Sequence, residues 1–159
     1  MIDVAGYRKV IGTFATGVTV ITTEVDGRLH GFTANAVTSV SLDPLLLLVC
    51  VDKRAHAHAE LAKARGFGVS ILSEDQRDLS NLFAKSAEPT VGALRGVAFR
   101  RGVTGVPLLD GALACLECES ERALDGGDHT IYLGRVVEGA ILGEARPLLY
   151  YQGAYRTID

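Results

Sequence analysis

The chain lacks most of what marks secreted, membrane-spanning or disulfide-stapled proteins. It has only three cysteines in 159 residues, an odd number that does not suggest a disulfide framework. No apolar run approaches the roughly 20 residues of a membrane-spanning helix. Asp3, Arg8 and Lys9 stand where a secretory signal would be apolar. We therefore expect a soluble, cytoplasmic protein without a membrane partner.

The chain also lacks a surplus of positive charge. Its sixteen Lys and Arg residues are scattered along the chain and its net charge is -3, so no basic stripe is available for a phosphate backbone. We expect no nucleic-acid partner. The hydrophobic fraction of 48% in a chain of this length predicts one domain, spanning residues 1–159, with a sizeable core.

Neither the cysteines nor the histidines are spaced for a metal site. Cys115 and Cys118 form a C-x-x-C, but apolar and acidic residues alternate around them, which predicts a strand that turns the two thiols to opposite faces. His56 and His58 lie in a helix-like window, roughly 200° apart around the axis. We expect no bound metal.

The familiar nucleotide and nucleophile motifs are missing as well. Gly66-Phe67-Gly68 precedes a predicted strand, whereas a dinucleotide fingerprint would open a helix. The sequence contains neither a phosphate-binding P-loop nor a G-x-S-x-G elbow. A nicotinamide cofactor would have to bind without a Rossmann fold.

What the sequence does contain is a succession of strands with few helices. Val4, Tyr7, Ile11 and Phe14 predict an amphipathic first helix with Gly17 as its stop. Two more helices are predicted at 55–65, ended by Gly66, and after a Ser73/Gln76 capping box. The predicted strands are 18–23, 29–34 after an Asp26-Gly27 turn, 45–51, 67–72, one near 97–100 in a loop-rich region 84–111, 113–122, 129–137, 140–142 and 148–155. This order favours a closed antiparallel barrel.

Residues 31–51 carry the most chemical information. Small hydroxyl and amide side chains come directly before a wholly apolar run, which predicts a strand with a polar lip facing a flat, heteroatom-rich ligand such as a flavin. A Ser/Thr-rich loop between two strands is the alternative interpretation of this segment.

Five ordered motifs resemble the flavin reductase family. They are G-F-T-A-N-A-V-T-S-V-S-L-D-P at 31–44, L-V-C-V-D at 48–52, F-G-V-S-I-L at 67–72, G-D-H-T-I-Y-L-G-R-V at 127–136 and P-L-L-Y-Y-Q-G-A-Y-R at 147–156. The resemblance implies a mostly β, split β-barrel fold of the FMN-binding type with a few short helices, assembled as a homodimer. It also implies hydride transfer from NADH or NADPH, with NADH favoured, to FAD or FMN. Reduced flavin would then diffuse to a partner flavin-dependent monooxygenase.

The resemblance further implies a set of site residues. The nicotinamide would contact His129 and Tyr151, although a lone histidine at the start of a strand is also a common surface residue. The residues implied to contact the flavin are Thr33, Ala34, Asn35, Ala36, Thr38, Ser39, Ser41, Cys50, Val51, Asp52, Lys53, His58, Phe83, Ala84 and Lys85.

The chain departs from the family at the flavin phosphate. Ala55 and Ala57 stand where hydroxyl side chains are usual, and Leu82 replaces an arginine. The basic side chains Lys53, Arg54, His56 and Lys85 are candidates to supply the missing contacts as point charges. These departures predict weaker retention of flavin.

Two alternatives to a reductase stay open on the sequence. One is a non-enzymatic flavin-binding split-barrel protein, and the other is an oxidase that keeps its flavin bound. The Gly127-Asp128-His129 motif favours the reductase, because a simple flavin carrier needs no wall facing a nicotinamide.

Overall fold

The computed structural model describes residues 1–159 and is mostly β. The helices are α1 (Val4–Ile11), α2 (His56–Lys63) and α3 (Arg77–Ala84), with a 3-10 turn at Glu74–Gln76 before α3. The strands are β1 (Thr16–Gly17), β2 (Thr19–Val25), β3 (Arg28–Ala34), β4 (Val37–Leu42), β5 (Leu45–Asp52), β6 (Gly66–Ile71), β7 (Thr90–Val91), β8 (Phe99–Arg101), β9 (Pro107–Leu109), β10 (Ala114–Gly126), β11 (His129–Ile141), β12 (Leu149–Tyr151) and β13 (Ala154–Arg156).

Eight strands form one antiparallel sheet in the order β4-β5-β11-β10-β6-β2-β3-β7. No ladder joins β4 to β7, so the closed barrel expected from the strand count is open along one side. The chain bridges the opening itself, because it runs from β3, whose far end has no partner in the short edge strand β7, straight into the edge strand β4. Next to this crossing the Cys50 N–H donates to the Ala36 carbonyl at 3.0 Å. The mostly β fold class is as predicted.

The β2–β3 hairpin follows from its turn residues. Asp26 and Gly27 both have positive φ, at 51° and 76°, which a two-residue turn of this hand requires. The register then pairs Val25 with Arg28 and Thr19 with Ala34. The hairpin predicted from the sequence is confirmed.

Strand β2 is buried on both faces, and this divides the core into two clusters. Ile21 belongs to a cluster that α2 covers with Ala57 and Leu61. Its neighbour Val20 points the other way, into a cluster that includes Phe83 of α3. The two helices therefore sit on opposite faces of the β2–β3 hairpin.

The C-x-x-C lies in β10, as predicted. Cys115 and Cys118 are both buried, and they belong to different hydrophobic clusters. A β-bulge lies between Glu117 and Cys118. The side chain of Glu117 is also buried and accepts hydrogen bonds from the Val103 N–H at 3.0 Å and from the N–H and hydroxyl of Thr104 at 2.8 and 2.5 Å. This carboxylate anchors the loop at 102–105.

Helix α1 buries none of its residues within one chain. Asp3 caps it by accepting from the Gly6 N–H at 2.7 Å. Val4, Tyr7, Val10 and Ile11 are all exposed. None of the three helices combines the length and apolar character needed to span a bilayer.

Two glycines that were predicted to end helices, Gly17 and Gly66, lie in strands instead. Helix α1 ends at Ile11, before Gly17, and α2 ends at Lys63, before Gly66. Gly66 lies inside β6, where an added Cβ would stand too close to the Cys118 carbonyl oxygen. The glycine is needed for strand packing and does not end the helix.

Other boundaries also differ from the predictions. Residues 37–42 form the strand β4, so the polar segment is a strand and the loop interpretation is wrong there. The strand expected near 97–100 is β8 at 99–101, and it pairs with β9, which the sequence did not predict. Residues 140–141 continue β11 through its pairing with β10 and form no separate strand.

Candidate functional site

A cavity of about 580 Å³ lies where the chain crosses from β3 to β4. The end of β5, the start of α2, the end of α3 and the start of β11 complete its walls. Cavities of this volume are typical of cofactor sites. Its lining residues are His30, Gly31, Phe32, Thr33, Ala34, Asn35, Ala36, Cys50, Val51, Asp52, Arg54, Ala55, His56, Ala57, Phe83, Ala84, Lys85, Ser86, Ala87 and His129.

The β3 wall offers main-chain hydrogen-bonding groups. Strand β3 pairs with β2 along its whole length but with β7 only at Arg28 and Leu29. From His30 to Ala34 the outer edge of β3 is therefore unpaired. Because alternate residues of an edge strand direct N–H and C=O groups away from the sheet, these groups are free for a ligand.

The side chains that follow are small and uncharged. Ala34 and Ala36 let a ligand approach the backbone closely, and the Asn35 amide is exposed. The Thr33 hydroxyl donates to the Ser80 carbonyl at 2.6 Å, so it fastens α3 to β3. That hydroxyl keeps its capacity to accept a hydrogen bond.

A tight turn closes the cavity after β5. The Asp52 carboxylate accepts from the Arg54 backbone N–H at 2.8 Å and from its guanidinium at 2.8 and 3.1 Å. These hydrogen bonds hold the pKa of Asp52 well below its usual range. Much of the Arg54 charge is therefore neutralised by its own neighbour.

His129 begins β11 and pairs with Asp52 in the β5–β11 ladder, so the two residues lie side by side. Its Nδ1 lies 2.7 Å from a carboxylate oxygen of Asp128. That hydrogen bond lowers the pKa of Asp128. A carboxylate on Nδ1 fixes the orientation of the ring and leaves Nε2 free to face a ligand.

The end of α3 supplies an apolar wall and a cation. Phe83 packs against Gly31, where an added Cβ would be 2.8 Å from the ring. Lys85 lines the cavity and forms no ion pair. The cavity therefore carries a free positive charge, and the first turn of α2 lines the same cavity.

Six residues predicted from the resemblance lie outside this cavity. Thr38, Ser39 and Ser41 lie on β4, with Thr38 and Ser39 exposed. The Lys53 ammonium is 2.5 Å from Asp125 at the rim. His58 contacts the Thr130 hydroxyl at 2.8 Å, behind the β5 wall, and Tyr151 is in β12. Their contacts with a ligand stay predictions.

The other predicted residues line the cavity, together with some that were not predicted. The additions are His30, Gly31, Phe32, Arg54, Ala55, His56, Ala57, Ser86 and Ala87. Arg54 and His56 were considered as sources of charge. His30 and Phe32 had no such signal, because they alternate with Gly31 and Thr33 and project from the other face of β3.

The chemistry of the cavity fits a flavin. The unpaired edge of β3 and the Asn35 amide suit the polar edge of a flat ring, while Val51 and Phe83 offer apolar contact. Lys85 and the first turn of α2 suit an anionic tail.

The comparisons with known proteins agree with this geometry. Residues 11–159 match the pattern of the family described as flavin reductase like domain. The chain belongs to the flavin reductase family. An NADH-dependent flavin reductase from a Rhodococcus species is 44% identical over 156 residues, covering 96% of this chain and 85% of that protein.

A second curated relative is longer. The reductase component of the flavin-dependent trigonelline monooxygenase from Acinetobacter baylyi is 42% identical, and the match covers 94% of this chain and 47% of that protein. The chain thus spans about half the length of this relative.

A solved flavin reductase shows the same fold with ligands. The NADH:FAD oxidoreductase SgcE6 of Streptomyces globisporus, in complex with NAD and FAD fragments, has a TM-score of 0.90 and 38% identity. The match covers 99% of this chain and 93% of that one. Membership in this family makes flavin reduction by a nicotinamide the expected chemistry of the cavity.

Proposed function

We propose that this protein is an NADH-dependent flavin reductase that reduces FAD or FMN and supplies the reduced flavin to a partner flavin-dependent monooxygenase. One observation carries the proposal: a free strand edge and small, uncharged side chains line the same cavity as His129. Relatives that reduce flavin with NADH, or that serve a monooxygenase, support it.

Each wall has a distinct task in this reaction. A bound flavin supplies the ring that accepts hydride from the nicotinamide. The β3 edge and the Asn35 amide hold the polar side of the ring in place. Val51 and Phe83 exclude water from its faces, and His129, oriented by Asp128, positions the nicotinamide. No side chain has to act as a general base.

We further propose that flavin is a substrate that exchanges with solution. The cavity is open to solvent, and Ala55 and Ala57 offer no hydroxyl groups to its phosphate. The Arg54 guanidinium is engaged by Asp52. An easily released flavin suits delivery by diffusion to the monooxygenase.

We propose that the protein works as a homodimer. Leu42 and Ile141 are 82% and 86% exposed, and Val40, Leu45 and Leu142 are exposed near them in sequence or across the sheet. The apolar side chains of α1 are exposed as well. Monomers rarely expose so many large apolar side chains, and a second copy would cover them. Light scattering after gel filtration tests this proposal, because a homodimer has twice the mass of one chain.

A cytoplasmic location is proposed on the three free thiols of the chain. Unpaired cysteines persist in the reducing environment that also supplies NADH. Fractionation of cells that make the protein tests the location.

Steady-state oxidation of NADH, followed by loss of its absorbance, tests the function. We expect turnover with added FAD or FMN, little without flavin, and slower turnover with NADPH. Folded protein that binds flavin but oxidises neither nicotinamide would contradict the proposal and would indicate a flavin carrier.

A further inference from the structure

His30 is a buried polar side chain without a partner. It is 7% exposed, lies on β3 and lines the cavity. Its ring nitrogens form no hydrogen bond, whereas His56 pairs with Glu88, His58 with Thr130 and His129 with Asp128. The only buried side-chain polar atom without a hydrogen bond is Thr16 Oγ1, so the His30 nitrogens are reached from the cavity. They are therefore open to a hydrogen bond with a ligand.

The first turn of α2 lies at the same cavity. Its N-cap residue Ala55 makes no side-chain hydrogen bond, and the turn contains no acidic residue. His56 and Ala57 of this turn line the cavity with His30. The first N–H groups of a helix attract anions. The Glu88 carboxylate, 3.6 Å from the His56 ring, is a negative charge of the protein near this turn.

Four charged or titratable groups act on the pKa of His30, two in each direction. Burial lowers its pKa, and His56 of α2 and Arg95 lower it further, while Glu60 of α2 and Glu88 raise it. The empty site therefore holds a neutral imidazole at neutral pH. An anion placed against the ring would favour the protonated form.

We propose that the His30 imidazole binds the phosphate chain of the flavin beside the first turn of α2, and that it does so as the imidazolium. This inference rests on the proposed function, because it takes flavin as the ligand. The imidazolium of His30 supplies a phosphate contact that Ala55 and Ala57 do not make. The affinity for phosphorylated flavins then rises as the pH falls.

Binding of FAD and of riboflavin, measured by fluorescence titration between about pH 5.5 and about pH 8.5, tests this assignment. Riboflavin lacks phosphate, and the diphosphate of FAD does not titrate in this range. As the pH falls below the His30 pKa of the FAD complex, we expect the ratio of FAD to riboflavin affinity to rise by up to about tenfold per pH unit. The ratio should level off below the His30 pKa of the free protein, where His30 is protonated in both states.

The variants His30→Gln and His56→Gln form a matched pair. We expect His30→Gln to make the ratio independent of pH and His56→Gln to retain the dependence, since His56 is half exposed and paired with Glu88. A pH dependence that survives in His30→Gln, or that disappears only in His56→Gln, overturns the inference.

Histidine NMR titration of the unmodified protein makes the test independent of variant folding. We expect the His30 pKa to rise on saturation with FAD and to stay unchanged with riboflavin. Equal His30 titration with both flavins would overturn the inference while leaving the reductase proposal intact. Failure of both flavins to bind would contradict the reductase proposal itself.

Discussion

Replacing Gly31 with alanine strains the wall of the cavity by a predictable amount. The new Cβ would lie 2.8 Å from Cε1 and 3.0 Å from Cδ1 of Phe83, and 3.4 Å from Leu94. Because carbon atoms in contact stand about 3.5 Å or more apart, the ring must move by about 0.7 Å. Phe83 is fully buried, so its neighbours must move too. Overpacking of this kind costs about 1–3 kcal/mol.

Urea unfolding and FAD titration of Gly31→Ala measure both consequences. We expect the free energy of unfolding to fall by about 1–3 kcal/mol, and FAD to bind more weakly because Phe83 lines the cavity. Gly143→Ala is the control, since nothing lies within 4 Å of an added Cβ there. Its stability should change by less than about 0.5 kcal/mol.

A double-mutant cycle identifies Phe83 as the source of the strain. The smaller side chain of Phe83→Leu leaves room for the methyl group added at position 31, so the double variant should lose less stability than the sum of the two single losses. Wild-type stability and FAD affinity in Gly31→Ala, or strictly additive losses in the double variant, would refute the reasoning.

Three further predictions concern groups described above. Glu117→Gln removes a buried carboxylate with three donors and should cost about 1–3 kcal/mol in urea unfolding. Burial opposes ionisation of Glu117, but hydrogen bonds from Thr104 and Val103 lower its pKa overall. The difference in unfolding free energy between the wild type and Glu117→Gln should therefore hold at neutral pH and shrink as the pH falls through the folded-state pKa of Glu117. An unchanged difference in acid would contradict this. Thr33→Val removes the donor to the Ser80 carbonyl and should cost about 1 kcal/mol, and equal stability would show that the bond is dispensable. A thiol reagent should label Cys50 before Cys118, because burial raises the Cys118 pKa to about 12. FAD should slow the labelling of Cys50, and equal rates with and without FAD would remove Cys50 from the site.

The sequence predicted elements whose signals are local. The Asp26-Gly27 turn determines its hairpin through backbone conformation alone, and the Ser73/Gln76 capping box is present, with the Ser73 N–H donating to Gln76 at 3.1 Å. Strand β9 was missed because its three residues gain strand geometry only by pairing with β8. Gly17 and Gly66 were mistaken for helix stops, because strand contacts with distant residues cannot be seen in a local pattern.

The site was predictable only where consecutive residues share one wall. Residues 33–36 run from the end of β3 into the following connection, and residues 50–52 end β5. Each run of residues named from the family motifs lines the cavity, and its contact with flavin stays a prediction. His30 was missed because a single histidine next to an apolar strand has no pattern that distinguishes a ligand contact from a core residue. Its importance comes from the unpaired edge of β3, which depends on where β7 ends.

The most direct test of the account is an anaerobic experiment with NADH, catalytic amounts of protein and excess FAD, followed by ultrafiltration. The account predicts reduced FAD in the filtrate in molar excess over protein, because the flavin leaves the open cavity after each reduction. Reduced flavin that stays with the protein, or no reduction at all, would contradict it.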